Sequence, residues 1–339
     1  MSKVLVTGGT GFIGSHTVVE LHNAGHEAII VDDLSNSDIS MLERLREIIG
    51  IEPKFYQKDL RDQESIKEIF KENDIEAVIH FAASKAVGES VEKPLLYYRN
   101  NLLSTINLLE LMIDHKVKSF IFSSSCTVYG EPDQLPVTED SPVKPANSPY
   151  GNTKQIGEEV IRETVEVNEG LQAISLRYFN PVGAHESAKI GEFPSGTPNN
   201  LMPYLLKVVA GELEELSVFG DDYDTPDGSC IRDYIHVVDV ARAHVVALDR
   251  LLQSNQKDRY EVFNLGTGTG YSVLDLIKTF ERSTGLRVRY KVVDRRPGDV
   301  VKIYADTSYA NQELGWKTEF TLEDMLTSAW AWQQELSKE

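Results

Sequence analysis

Two rhythms of apolar residues alternate along the first half of this chain. Val4-Leu5-Val6, Ile29-Ile30-Val31 and Val78-Ile79 are short unbroken apolar runs, as strands covered on both faces require. Strands are expected at 3–7, 27–32, 53–58, 77–81, 119–123 and 173–177. Between them, stretches at 13–23, 64–71, 100–114 and 154–168 space their apolar residues three or four apart, the repeat of an amphipathic helix. This alternation predicts an α/β fold: a doubly wound parallel (Rossmann) sheet of about six strands with helices on both faces.

After Asn180 the rhythm breaks. Residues 181–200 and 220–229 carry Gly, Pro and Asp without periodicity and read as loops. Helical spacing returns at 237–252 and 322–336, and a strand-like run at 262–265. The expected organisation is a Rossmann domain over 1–180 with a return segment at about 236–265. A smaller C-terminal substrate domain would comprise 181–235 and 266–339.

Composition narrows the partners. A formal net charge of −19 over 339 residues argues against nucleic acid or an anionic membrane surface. No apolar run approaches the ~20 residues of a membrane span. Residues 3–6 lead straight into glycines, as a strand does, and not into the cleavage site of a leader. The two cysteines, Cys126 and Cys230, lack the paired spacing of a zinc site, so no metal is expected. Unpaired thiols suit a reducing, cytoplasmic setting.

Candidate chemistry begins with TGGTGFIG at residues 7–14. Gly8, Gly11 and Gly14 (with Gly9 offering the alternative GxGxxG spacing) follow one predicted strand and open a predicted helix. Glycines so placed allow a tight turn and let the amides of a helix N-terminus approach a pyrophosphate. Asp32 ends the second strand eighteen residues beyond Gly14, with Asp33 beside it. A carboxylate there accepts hydrogen bonds from both ribose hydroxyls of an adenosine and repels a 2′-phosphate. The cofactor expected is therefore NAD rather than NADP.

A second constellation follows the fifth strand. SSSCTVYG (123–130) leaves its end, and YGNTK (150–154) opens a helix on which Tyr150 and Lys154 share a face. To serve as a base near neutrality a phenol must come down from a pKa of about 10, which takes about 4 kcal/mol. One ammonium about 4 Å away, at an effective dielectric near 20, supplies about that much. Burial opposes it, so the positive charge of oxidised nicotinamide is a welcome second contributor. Ser125 is placed to hydrogen-bond the same oxygen.

Together these motifs resemble the extended short-chain dehydrogenase/reductase family. The stretches FAASKAVGES, YFNPVGAH, NNLMPYLLKV, VFGDDYDTPDGSCIRDYIHV and RRPGDV are similar to its nucleotide-sugar 4-epimerase branch, over essentially the whole chain. The resemblance implies an isomerase that interconverts UDP-glucose and UDP-galactose on tightly held NAD. Tyr150 would take the proton of the sugar 4-hydroxyl while hydride leaves that carbon, the 4-ketose would turn over, and hydride would return to its other face.

The resemblance also implies a site. Phe12, Ile13, Asp32, Asn36, Ser37 and Asp59 would contact NAD, as would Leu60, Phe81, Ala82, Ala83, Lys85 and Asn100. Ser123, Tyr150 and Lys154 would join them, with Tyr178 or Phe179 near the nicotinamide. The UDP-hexose would meet Lys85, Ser125, Tyr150, Tyr178, Asn180 and Asn200. Leu201, Ser217, Phe219, Arg232, Arg296 and Asp299 would complete its wall, the two arginines as bidentate diphosphate partners. Two positions depart from the family's pattern. Cys126 stands where alanine is common, and Ile303 occupies the place governing room at the sugar 2-position. A tyrosine there tends to exclude N-acetylated sugars and a small residue to admit them, so side activity on UDP-N-acetylhexosamines is expected beside a preference for the plain hexoses. The family pairs subunits through two helices, here 94–114 and 148–168, so a homodimer is expected.

Other readings share the fold. A nucleotide-sugar 4,6-dehydratase wants an acidic pair beside Thr127, where Val128 and Tyr129 stand. A net reductase would exchange its cofactor. A non-catalytic NAD sensor tends to lose the tyrosine or the lysine.

Overall fold

A computed structural model describes residues 1–194, 196, 198, 200–296 and 299–338. The chain opens with β1 (Lys3–Thr7), α1 (Phe12–Asn23), β2 (Glu27–Asp32), α2 (Ser40–Ile49), β3 (Lys54–Gln57), α3 (Gln63–Glu72) and β4 (Ala77–His80). A short α4 (Val87–Glu92) and a long α5 (Pro94–His115) lead to β5 (Ser119–Ser125), a 3₁₀ turn (Cys126–Tyr129), α6 (Pro149–Val167) and β6 (Gln172–Tyr178). Next come β7 (Asn180–Val182), α7 (Leu201–Val209), β8 (Leu216–Phe219), β9 (Ile231–His236), α8 (Val237–Leu252) and β10 (Tyr260–Leu265). The described elements end with β11 (Gly270–Ser272), α9 (Val273–Thr284), β12 (Tyr290–Val293), β13 (Lys302–Ile303), α10 (Ser308–Glu313) and α11 (Leu322–Leu336).

The main sheet has seven strands, all parallel, in the order β10-β6-β5-β4-β1-β2-β3. The count exceeds six because β10, after a long excursion of the chain, returns to the edge beside β6. Side-chain alternation explains how both faces are covered. Val4 and Val6 of β1 point to the face packed by α1 and α8, with Ile30, Ile79 and Ile121. Leu5 points the other way with Val78, Phe120 and Phe122, against α3, α5 and α6. Fully burying a side chain of this kind contributes roughly 1.5–3 kcal/mol, which is why both faces select aliphatic residues.

Strand order reverses between β1 and β4, and the carboxyl ends of both strands open onto that crevice, where doubly wound sheets bind ligands. Over that edge lies the remainder of the chain. Here β9 pairs with β7 and β13 in parallel and with β11 antiparallel, β8 and β12 form a two-stranded ribbon, and α7, α9 and α11 enclose a separate apolar cluster. Of the boundaries that differ from expectation, two have a clear physical reason. β5 runs on to Ser125, because the small serines keep ladder partners on β6 as far as Tyr178. The helix expected from residue 100 starts at Pro94, a residue well suited to the first helical turn, whose amides lack partners in any case. Among the described residues no helix is long and apolar enough to cross a membrane.

Candidate active site

The loop between β1 and α1 is built from backbone contacts too close for side chains. A Cβ on Gly8 (φ +69°) would lie 2.8 Å from the Ala82 amide nitrogen, and one on Gly14 would lie 2.1 Å from the Gly8 carbonyl oxygen. Gly11 is the N-cap of α1 and supplies no capping side chain, so the helix presents its first amides to the crevice. At the end of β2, Asp32 accepts hydrogen bonds from the Thr10 amide (3.3 Å), the Leu34 amide (3.0 Å) and Ser37 Oγ (3.1 Å). Asp33 is exposed and turned onto the Ser35 amide, and Asn36 is exposed next to it. A backbone cradle that only glycine permits, followed by a carboxylate at the end of the adjacent strand, fits the pyrophosphate and ribose of NAD.

Further along the same edge, Asp59 is gripped by Arg61, whose guanidinium holds the carboxyl below its ordinary range, and Leu60 is buried beside it. Phe81 follows β4 and packs on His244 of α8 (ring centres 4.6 Å apart), with Ala82 against the glycine loop and Ala83 half-buried after it. Lys85 reaches Glu192 (3.1 Å), which also accepts from Asn200 Nδ2 (3.0 Å). Glu192 thus ties an expected cofactor residue to an expected substrate residue. It escaped the sequence reading because it stands in the patternless 181–200 stretch, as Arg61 did because its role shows only through Asp59. Asn100 donates to Ser84 Oγ at 3.0 Å.

The serines, the tyrosine and the lysine converge at the junction of β5 and α6. Ser148 caps α6 by accepting from the Gly151 amide, which sets Tyr150 in the first turn. Ser125, itself the cap of the 3₁₀ turn, faces the Tyr150 phenol and pulls its pKa down. Lys154, one turn on, is buried and donates its Nζ to the Ser123 carbonyl (2.6 Å), 5.9 Å from the centre of the Tyr150 ring. Ser123 Oγ and the Tyr178 hydroxyl share a short hydrogen bond, and burial pushes that phenol up to about 12. Burial also raises the Tyr150 phenol far above its ordinary value, with Tyr178 adding to the effect and Ser125 opposing it. Lys154 is brought down to about 8 by burial, with Glu158 pulling it back up. This corrects the simple expectation of one ammonium bringing the phenol to neutrality. Desolvation outweighs it, and the ammonium is spent on a carbonyl.

The expected nucleotide-sugar residues lie across the crevice. Asp299 takes Arg296 at 2.7 Å and Arg232 at 3.7 Å, so one carboxylate holds both guanidiniums together. Arg296 lies 5.6 Å from the ring centre of Phe219, an exposed aromatic at the end of β8, with Ser217 two residues back on the same strand. Pro297 and Gly298 of the RRPGDV stretch, and Asn199 of NNLMPYLLKV, lie outside the described residues. Asn180 opens β7, while Asn200 and Leu201 open α7. Ile303 pairs with Arg232 in register and is buried with Cys126 and Phe179, so the gate position touches the serine cluster's turn. Tyr129, where a dehydratase would want an acid, is committed to Asn264 (2.6 Å) and Arg177 (3.0 Å).

Residues 5–329 match the family model described as GDP-mannose 4,6 dehydratase. The chain is 53% identical over 330 residues to a UDP-glucose 4-epimerase of Bacillus subtilis (strain 168), covering 97% of this chain and 96% of that one. It superposes with a TM-score of 0.95 on the UDP-glucose 4-epimerase from Bifidobacterium longum in complex with NAD+ and UDP, at 51% identity and 98% coverage of each chain. The TM-score is 0.96 for the Stenotrophomonas maltophila UDP-glucose-4-epimerase with bound NAD and formylated UDP-arabinopyranose, at 49% identity, 100% coverage of this chain and 99% of that one. Within the broad dehydratase-named family, then, the chain belongs to the UDP-glucose 4-epimerases.

Proposed function

We propose that this chain is an NAD-dependent isomerase that interconverts UDP-glucose and UDP-galactose, with Tyr150 as the base at the sugar 4-hydroxyl. The observation that carries the reading is the convergence of Tyr150, Ser125 and Lys154 at the sheet's carboxyl edge, beside the glycine cradle and facing the Arg232–Asp299–Arg296 cluster. Gly8, Gly11, Gly14, Asp32 and Ser37 would hold NAD, and the two arginines would exchange Asp299 for the diphosphate. Bound NAD supplies the acceptor that takes hydride from sugar C4 and gives it back, together with a positive charge beside Tyr150. The phenol, raised by burial, would gain acidity from that charge, and Ser125 pulls it the same way. Ser125 holds the proton's path to the sugar hydroxyl, and the enclosed edge keeps water from the ketose. Purified protein without added cofactor should convert UDP-galactose to UDP-glucose, and Tyr150→Phe should nearly abolish this while NAD stays bound. Accumulation of a 4-keto-6-deoxy sugar instead would favour the dehydratase.

The same reading divides the chain into a cofactor part (1–180 with the return through α8 and β10) and a nucleotide-sugar part. It also makes the molecule a homodimer. Leu95, Leu103, Ile106 and Ile113 are exposed along a single stripe of α5, a pattern that asks for a partner surface. Two buried, unpaired thiols suit the cytoplasm.

A further inference from the structure

Alternation along β5 sends Ser124 to the opposite sheet face from Ser123 and Ser125. Ser123 and Ser125 meet Tyr178 and Tyr150, whereas Ser124 is fully buried against α6 and donates to Glu158 Oε1 at 2.5 Å. Glu158 stands one helical turn beyond Lys154 and two beyond Tyr150. Its carboxylate is also gripped by Arg177 of β6, the residue paired with Ser124 in the sheet, through Nε (2.9 Å) and a terminal nitrogen (2.6 Å). The remaining guanidinium nitrogen of Arg177 donates to the Tyr129 hydroxyl, which donates in turn to Asn264 of β10. A single buried ion pair therefore fastens α6 to β5, to β6 and to the 3₁₀ turn that follows Ser125.

Such a pair is a poor device for stability alone. Removing two charges from water costs several kcal/mol, and apolar residues of similar volume hold helices to sheets as well or better. What it provides is direction. Three donors on one carboxylate fix where α6 sits along β5, and the peptide so clamped presents both the Ser123 carbonyl to Lys154 and Ser125 to Tyr150. We propose that Glu158, locked by Arg177, is a positioning residue for the Tyr150–Lys154 pair, with Ser124 as its hold on the strand; this rests on the reading of Tyr150 and Lys154 given above. A misplacement of about 1 Å at reacting groups can cost on the order of a hundredfold in rate, so this clamp acts on turnover rather than on substrate affinity.

Three variants of the holoenzyme, assayed with UDP-galactose, test it. Ser124→Ala leaves the ion pair intact and is expected to keep Tm and NAD content while lowering kcat several-fold at unchanged KM. The double variant Glu158→Leu/Arg177→Met, which replaces the pair by apolar bulk, should hold NAD and fold, yet lose about tenfold or more in kcat with KM within about twofold. Tyr150→Phe, run in parallel, should be nearly inactive. Wild-type kcat in Ser124→Ala or in a folded double variant, or a loss confined to KM, overturns the positioning role while leaving the base intact. Full activity in Tyr150→Phe overturns the underlying reading instead.

Discussion

Single residues carry the choice of cofactor and substrate. Asp32 holds the turn after β2 through Thr10, Leu34 and Ser37, and the proposed function sets the adenosine ribose against its carboxylate. Asp32→Ala removes both that acceptor and the turn's organiser, and NAD measured in the supernatant of denatured protein should fall about tenfold or more. Asp32 and the glycines were legible in the sequence because their spacing encodes the chemistry directly. Glu192 and Glu158 were not, since each acts through a partner many residues away that only the fold brings near; Arg61, two residues from Asp59, was missed because no motif marks the pair. Ile303 stands between these cases. Its position was legible, but its burial against Phe179 and Cys126 is a product of folding. With this aliphatic wall, turnover of UDP-galactose should exceed that of UDP-N-acetylgalactosamine. Ile303→Tyr should lower the acetamido sugar about tenfold further by filling the remaining room. Faster turnover of the acetamido sugar by the unaltered protein would contradict the assignment.

At the scale of elements, the parallel strands and most of the helices between them could be read ahead of the structure because each is apolar on both faces or along one stripe, whereas α2 and the short α4 were not among the expected helices. The short pieces could not. β13 is two residues long, and β12 is almost wholly exposed and owes its form to β8. The expected strand stopped at Ser123, yet ladder bonds carry it to Ser125 and side-chain partners satisfy all three serines. The α1 entry is the element on which cofactor binding turns. A methyl group on Gly14 would overlap the Gly8 carbonyl oxygen, so Gly14→Ala must push the helix N-terminus away from the loop. Bound NAD should then fall about tenfold or more, with far-UV circular dichroism nearly unchanged. Normal cofactor content in that variant would mean that the cradle is not where the pyrophosphate sits.

Over the whole molecule, burial of ionisable groups sets the response to acid. His16 and His80 are pulled down to about 3, and His236 and His244 to about 4, chiefly by desolvation, all four being buried. Between pH 6.5 and about 4 the unfolded chain binds protons at these positions that the folded chain does not, so stability falls as pH falls. Buried Asp239, raised to about 6 by burial, works in the opposite direction by one proton. Each such histidine contributes up to about 1.4 kcal/mol per pH unit in that window, His185 adds to them, and Glu20, Glu139 and Asp233, raised by burial, oppose them with Asp239; the expected net fall is readable by urea denaturation at pH 7 and pH 5. A flat profile would mean that the histidines reach solvent. The α5 stripe makes a second statement at this scale. Sedimentation should give twice the chain mass, and Leu103→Glu with Ile106→Glu should give the monomer.

The central claim, that one carbon of the sugar loses and regains the same hydride within a closed site, has a direct test. UDP-galactose carrying deuterium at C4 should be converted in ordinary water by protein without added cofactor. The account predicts UDP-glucose with the deuterium still at C4 and no net change in NAD. Loss of the label to solvent would contradict it.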